Sequence, residues 1–330
     1  MIYPAFQNSN IPIVYTFDSA FVNYASVSIK SLLCHTSTSN NYDFIIFEND
    51  LSELDKIKLL SLKESKNNVS IRIYNTVHEL HKHPSGTFRS HAHLSIATYF
   101  RLFIPNFLSN YSKLIYIDSD TILLADVAKL YSLDLGNAPF CAYVEPPYPA
   151  NYRMNKDHFN DGVLVMNIDL LKKDKLLERA VPLLLKYKDL PLPGQDVINM
   201  LYTGQIHPLP VEWNFCWHLT ERNLRKTLDP DKGIQILHGL VSPKLIHYAS
   251  PEKPWNSPEK IFANFWWEYA KQLPFYHDIE LQALQDQIIF LKNKLKIMQA
   301  SFAWKITYPI RKVYDFLKYD ISSILHFWNK

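Results

Sequence analysis

The chain has 330 residues, of which 47% are hydrophobic and 20% charged, with a formal net charge of +3. This is ordinary globular composition, and the length fits one large domain with an appendage, or two domains. Near-neutrality excludes a broadly basic nucleic-acid binder. The three cysteines, Cys34, Cys141 and Cys216, are too few and too far apart for a disulfide framework or a zinc site, which favours a reducing, cytoplasmic setting.

The first ten residues are polar and the apolar run Ile11–Phe17 is short, so neither a secretory leader nor a membrane-spanning helix is expected. Ile11–Phe17 reads as a buried strand. A helix follows through Ala25, Ile29, Leu32 and Leu33 at spacings of three and four. Tyr42–Glu48 is a second strand, Ser52 with Asp55 opens an amphipathic helix, and Val69–Tyr74 is a third strand. This alternation predicts parallel βαβ units and a nucleotide-binding type of sheet. Residues 76–91, with Pro84 and Gly86, read as a polar loop. A helix is expected over Leu94–Phe103 and a strand over Lys113–Ile117. Further strands are expected at Phe140–Val144 and Gly162–Ile168, then one helix from Leu170 to Lys188. Pro191–Gly194 reads as a breaker before a helix that begins at Gln195. Residues 205–260 read as irregular apart from a strand at Lys244–Tyr248, and composition shifts near Pro274.

Five stretches carry chemistry. LIYIDSDTILLADV, Leu114–Val127, ends a buried strand on Asp118 and Asp120, with no basic neighbour before Lys129. Carboxylates at that spacing can share a hard divalent cation, which can in turn hold a diphosphate; the plainer reading is a solvated turn. Asp18, at the end of the first strand, lies on the same rim, where ligands of open parallel sheets gather. IHYASPEKPW, Ile246–Trp255, places His247 at a strand end and Lys253 in a proline-stiffened loop. An imidazole added to two carboxylates shifts preference toward Mn²⁺, and Lys253 can meet a phosphate as a point charge. In FNDGVLVMNI, Asn160 and Asp161 precede a glycine that permits close backbone approach, or form a strand-entry turn. In GQDVINML, Gln195 and Asp196 open a helix, where capping is an equal explanation. In HLSIATYFRLFIP, Arg101 stands among apolar residues and needs an anionic partner.

In this order the five stretches, over residues 11–275, resemble glycosyltransferase family 8, the retaining sugar transferases that include lipopolysaccharide galactosyl- and glucosyltransferases. The resemblance implies one Rossmann-like nucleotide-sugar-binding domain of the GT-A type with a mixed central sheet. It implies a UDP-sugar donor, Mn²⁺ with Mg²⁺ possible, and Asp118, Asp120 and His247 as metal ligands. Asp18 matches the residue at the uracil edge, and Asp120 also meets the ribose. Lys253 and the loop at Ser250 match the diphosphate segment. Arg101, Asn160 and Gln195 match residues around the donor sugar, and Ser119 lies within the metal-binding turn. Gln195, Asp196, Asp161 and Asn160 are the catalytic candidates. Two departures stand out: Gly194 replaces the first aspartate of the family's D-Q-D, and Asp161 stands where Ala or Ser is frequent. A carboxylate displaced from one side of the sugar pocket to the other would account for both. Ser250 also replaces the glycine of H-Y-x-G.

The resemblance predicts transfer of galactose or glucose to lipopolysaccharide or another cell-surface glycan. The rival readings are an inactive scaffold that assembles a glycan-synthesis complex and a Mg²⁺-dependent nucleotidyltransferase. Beyond the catalytic domain (1–275), Leu281, Leu284, Ile288, Leu291, Leu295, Met298 and Phe302 recur at alternating spacings of three and four, an a/d seam. A short coiled coil is expected over 276–302, forming a homo-oligomer. Residues 301–330 carry eight aromatics, five basic residues and two acidic ones, so the whole net charge sits there. The segment 303–330 is expected to lie on the cytoplasmic face of the inner membrane.

Overall fold

The computed structural model describes residues 2–89, 95–145, 158–216 and 230–315. It divides into two compact units, Met1–Pro254 with Pro258–Ile279, and Trp255–Ser257 with Glu280–Lys330. The first unit opens with β1 (Asn10–Thr16), α1 (Val22–Leu33), β2 (Asn41–Glu48), α2 (Glu53–Ser61) and β3 (Val69–Asn75). Nearly every residue of β1 and β2 is buried, the signature of strands covered on both faces, and this is why they read as continuous apolar runs. Asp43 inside β2 is tolerated because Arg72, at 2.7 Å, and the Tyr111 hydroxyl, at 2.9 Å, satisfy it. Ser52 and Asp55 form the expected capping box at the start of α2.

The chain continues with α3 (Val77–Leu80), a 3₁₀ turn at Ile96–Tyr99, α4 (Phe100–Phe107), β4 (Lys113–Ile117), β5 (Thr121–Leu123), α5 (Ala128–Tyr131) and β6 (Phe140–Val144). Next come β7 (Phe159–Asn167), α6 (Ile168–Lys173), α7 (Leu176–Lys186), α8 (Pro193–Tyr202), β8 (His207–Pro208), α9 (Pro230–Val241), β9 (Leu245–His247) and α10 (Ala263–Ala270). The main sheet has the order β3-β2-β1-β4-β7-β6-β8. Strands β1 to β4 pair in parallel, while β7 runs antiparallel to both β4 and β6, so the sheet is mixed, as expected.

Several expectations need correction. The polar loop after β3 contains the single-turn helix α3. The helix expected over Leu94–Phe103 starts as a 3₁₀ turn at Ile96 and runs on to Phe107; Leu94 lies outside the described residues. The single helix expected over Leu170–Lys188 is two, because Lys175 takes a left-handed conformation (φ 54°) between α6 and α7. Pro193 does not break structure but occupies the first turn of α8, where its missing N–H costs nothing. Strand β7 begins at Phe159, so Asn160 and Asp161 belong to the strand and not to an entry turn. Helix α9 lies inside the segment read as irregular.

Two pairings position the site. Ile117 of β4 faces Val163 of β7, and the Asp118 N–H donates to the Gly162 carbonyl at 2.7 Å. Thr121 of β5 faces His247 of β9 in the second, two-stranded sheet. Hydroxyls of Tyr15, Ser28 and Thr121 link in series, and Thr121 Oγ1 donates to the Asp118 carbonyl at 2.9 Å, which anchors the turn between β4 and β5 on α1.

The second unit carries most of α11 (Tyr276–Ala300), then α12 (Phe302–Ile306) and α13 (Tyr308–Asp315). The stripe from Leu281 to Met298 is 45–54% exposed at its six described seam positions. Residues 316–330, including Lys318 and Lys330, lie outside the described residues. Among the described residues no helix is long and apolar enough to cross a membrane.

Candidate functional site

Asp118 follows β4, Asp120 precedes β5 and His247 ends β9, so two strand pairings bring these residues together across 129 positions of sequence. His247 Nε2 lies 3.2 Å from Asp120 Oδ1 and 3.9 Å from Asp118 Oδ2. One ligand atom from each residue lies within 4.8 Å of the others. Two carboxylates with one imidazole suit Mn²⁺, with Mg²⁺ as a weaker fit to the nitrogen donor. The backbone leaves room for this convergence only because residue 162 is glycine. A Cβ there would stand 2.2 Å from His247 Cε1 and 2.7 Å from Asp118 Oδ2. The residues present therefore fit a divalent cation.

Basic side chains from other parts of the chain meet both carboxylates. Arg101 Nη2 donates to Asp118 Oδ1 at 2.9 Å, and the Tyr116 hydroxyl donates to the same oxygen at 2.6 Å. Lys253 Nζ donates to Asp120 Oδ2 and, at 2.7 Å, to the Tyr248 carbonyl. Burial alone would raise the Asp120 carboxyl, but Lys253 and His247 together hold it well below the usual carboxylate range. Burial would likewise depress His247, yet Asp120 raises it well above the usual imidazole value. A cation held at Nε2 would take the place of the proton that Nε2 shares with Asp120.

Beside this triad lies a second polar group. Arg101, 5% exposed, is held on three sides by the protein. Its Nε donates to the Thr98 carbonyl, its Nη1 meets Asp161 Oδ2 at 2.6 Å and the Asp161 carbonyl at 3.0 Å, and its plane lies over the Tyr116 ring. Thus the anionic partner that Arg101 requires is a pair of carboxylates, Asp118 and Asp161. Burial pushes Asp161 up to about 6 against the pull of Arg101. Gln195 Oε1 accepts from the Asp161 N–H at 3.2 Å, and Asn160 Nδ2 donates to Glu145 Oε1 at 3.3 Å. Asp196 points elsewhere: its Oδ2 accepts the Leu192 N–H at 3.0 Å, the capping role. Burial raises Asp196 to about 6, the Leu192 N–H and His158 opposing. A Cβ on Gly194 would lie 3.2 Å from the Thr98 carbonyl, a tight contact that a small shift of that carbonyl would relieve.

Of the remaining expected site residues, Asp18 follows β1 on the same rim, and its Oδ1 is buried without a hydrogen-bond partner among the described residues. Ser119 is buried in the turn between β4 and β5, and Ser250 Oγ donates to the Glu252 carbonyl at 2.9 Å. Four residues at the site escaped the motif reading: Glu145, His158, Asn214 and Cys216. Glu145 Oε2 lies 3.2 Å from His158 Nδ1, while Asn214 Oδ1 and Cys216 Sγ lie 2.9 and 3.6 Å from His247 Nδ1. Glu145 and Asn214 stand out in sequence as polar residues beside apolar ones, whereas His158 lies in a polar stretch and Cys216 among aromatics, so neither of these two carries a sequence signal.

Residues 12–259 match the profile of Glycosyl transferase family 8. Glycosyltransferase GlyF of Streptococcus pneumoniae is 26% identical over 264 residues, covering 78% of this chain and 60% of its own. The lipopolysaccharide 1,2-glucosyltransferase of Escherichia coli is 28% identical over 257 residues, covering 74% and 72%. The chain spans about three-fifths of the length of two of the pneumococcal relatives, 60% of GlyF and 61% of GlyB. Among solved structures, the WbbM bifunctional glycosyltransferase superposes with a TM-score of 0.70 at 26% identity, over 87% of this chain and 53% of its own. The galactosyltransferase LgtC, solved with donor and acceptor sugar analogs, superposes with a TM-score of 0.69 at 22% identity, over 80% and 96%. These likenesses establish the GT-A-type fold.

Two outcomes follow from this geometry. Gly162→Ala forces His247 and Asp118 apart; it should cost about 1–3 kcal/mol of stability in urea unfolding. It should also weaken Mn²⁺ binding by about 10-fold or more in calorimetry. Asp196 carries a folded-state pKa of about 6, above its unfolded value, so its contribution is fully present below pH 4 and is lost as pH rises through 6. Asp196→Asn keeps the acceptor for Leu192 and cannot ionise. The variant should match the parent at pH 4 and exceed it by on the order of 2 kcal/mol at pH 7.5, read from denaturation midpoints at both pH values.

Proposed function

The chain belongs to glycosyltransferase family 8, and from that membership we propose that it moves galactose or glucose from a UDP-sugar to a hydroxyl of a glycan acceptor, with retention of configuration. The observation that carries this reading is the convergence of Asp118, Asp120 and His247 within 4.8 Å at the carboxyl rim of the parallel strands. Asp118, Asp120 and His247 would hold Mn²⁺, or Mg²⁺ in its place. The cation, when bound, supplies Lewis-acid stabilisation of the negative charge on the departing diphosphate. Lys253, already beside Asp120, supplies a second positive charge for the same diphosphate. Asp18, with its unsatisfied buried oxygen, offers an acceptor for the uracil edge, and Ser119 and Ser250 flank the diphosphate.

Asn160 and Gln195 present amides toward the sugar side. Asp161, drawn in by Arg101, supplies the carboxylate that Gly194 lacks. The proton of the attacking hydroxyl passes to the departing phosphate oxygen on the same face, so no separate base is needed. A covalent route would require a free nucleophile on the opposite face. Gln195 is engaged by the Asp161 N–H, Asp161 by Arg101 and Asp196 by the Leu192 N–H, and this favours the front-face route. The similarity to a lipopolysaccharide glucosyltransferase supports a lipopolysaccharide or related surface glycan as acceptor. Family membership speaks against the nucleotidyltransferase reading, and an assay separates transferase from inactive scaffold.

For the remaining chain we propose a division at 275 and at 302. Residues 281–302 would self-associate through the open apolar stripe on α11, and 303–330 would rest on an anionic membrane surface at the cytoplasmic face. Ile306, Ile310 and Tyr314 are 58–70% exposed, which suits such contact.

UDP-galactose or UDP-glucose with Mn²⁺ should yield UDP, and EDTA should stop it. Asp120→Asn should fold normally and lose about 10³-fold or more in turnover, within the range that loss of preorganised electrostatic stabilisation produces; near-parental turnover would refute the metal site. Mn²⁺ binding with no UDP released from any donor would support the scaffold. The full chain should sediment as an oligomer at micromolar concentration and co-float with anionic vesicles at low salt. Removal of 303–330 should abolish flotation but leave the sedimentation unchanged.

A further inference from the structure

Asn214 sits on no motif and is completely buried, at 0% exposure, yet it touches both halves of the site. Its Oδ1 lies 2.9 Å from His247 Nδ1, and its Nδ2 donates to Asn160 Oδ1 at 2.9 Å. The direction of each bond is fixed by a neighbour that has no choice. The Gly162 backbone N–H, which can only donate, reaches the same Asn160 atom at 3.0 Å, so that atom is oxygen. The Asn214 atom facing it is then the amide nitrogen, and the atom facing His247 is the carbonyl oxygen. Nδ1 of His247 therefore carries a proton whether or not the ring is charged, and Nε2 is the nitrogen that faces Asp118 and Asp120 and would be free to ligate once its own proton leaves.

The placement of Asn214 is itself built in. Phe215 N–H donates to the Leu245 carbonyl at 3.0 Å and His247 N–H donates to the Phe215 carbonyl at 3.0 Å, pinning the 214–216 segment beside β9. Cys216 Sγ also donates to Asn214 Oδ1, at 3.4 Å, but its own 3.6 Å approach to the imidazole makes it the weaker partner. Asp118 N–H to the Gly162 carbonyl, Gly162 N–H to Asn160, Asn214 to Asn160 and His247 to Asn214 make a chain of hydrogen bonds that runs from one carboxylate ligand to the imidazole. The ring closes where His247 faces Asp118.

We infer that Asn214 is a positioning residue that sets which imidazole nitrogen His247 offers to the cation and ties that imidazole to the sugar-side amide of Asn160. The inference rests on the metal-dependent transferase reading of the site. Its two arms are separable: one serves cation affinity, the other donor handling.

The test uses the full chain with Asn214→Ala and Asn214→Asp. Mn²⁺ binding is read by calorimetry without nucleotide, and KM and kcat are read with UDP-galactose and UDP-glucose. Asn214→Ala should weaken Mn²⁺ binding by about 10-fold or more. Asn214→Asp still accepts the Nδ1 proton, so its Mn²⁺ affinity should stay within about 3-fold of the parent. Its carboxylate, however, opposes Asn160 Oδ1 and should raise the donor KM or lower kcat by about 10-fold. Parental Mn²⁺ affinity in Asn214→Ala overturns the inference, as does a loss of Mn²⁺ affinity in Asn214→Asp equal to that in Asn214→Ala. Should Asn214→Ala fail to fold, the isosteric Asn214→Asp decides alone: cation affinity kept with donor handling impaired supports the inference, and both kept or both lost overturns it. A parent chain that binds no Mn²⁺ removes the transferase reading first, and the inference with it.

Discussion

Two carboxylates one residue apart at the end of a buried strand are the constraint around which this molecule is arranged. At such a position each unpaired negative charge would cost several kcal/mol. The chain answers with three cationic groups from elsewhere: Arg101 on Asp118, Lys253 on Asp120 and His247 between them. The puzzle posed by the bare Asp118–Asp120 run is thus solved twice. Side chains neutralise it, and the same oxygens are arranged to fit a divalent ion.

The architecture supplies the arrangement through one reversal. Had β7 run parallel to β4, its carboxyl end would have met Asp118. Because it runs antiparallel, its beginning does, and that beginning carries Asn160, Asp161 and Gly162. The small β5–β9 pair performs the complementary task by setting His247 opposite Thr121. Both pairings are held by buried apolar partners, Ile117 with Val163 and Ile122 with Ile246. The scaffold that holds both lies behind, in the continuous apolar strands β1, β2 and β4 and the helices packed on them.

The parallel half of the sheet was legible because strands covered on both faces leave dense apolar runs, and β4 and β6 were read with their observed ends. The start of β7 was hidden because its polar residues face a site, so a strand entrance looked like a turn. The break at Lys175 could not be read, since a left-handed lysine is set by packing and has no marker in sequence. The triad and Arg101 were visible through motif order. Glu145, His158, Asn214 and Cys216 were not, because each matters only through a neighbour far away in sequence. Asp196 shows the opposite lesson: a motif residue whose carboxylate serves its own helix.

The span between Asp118 and His247 bears on how the protein is made. Synthesis proceeds from the amino end, at roughly 5–20 residues per second. A ribosome that has delivered β4 and β5 must still add the 124 residues from Leu124 through His247 before β9 can pair with β5. During that interval, on the order of ten seconds, Arg101 is the sole distant counter-charge already emerged, and Asp120 waits without Lys253 or His247. The nascent chain is therefore unable to close its ligand set until late in translation, and a polypeptide halted early would carry the parallel sheet while lacking the pocket.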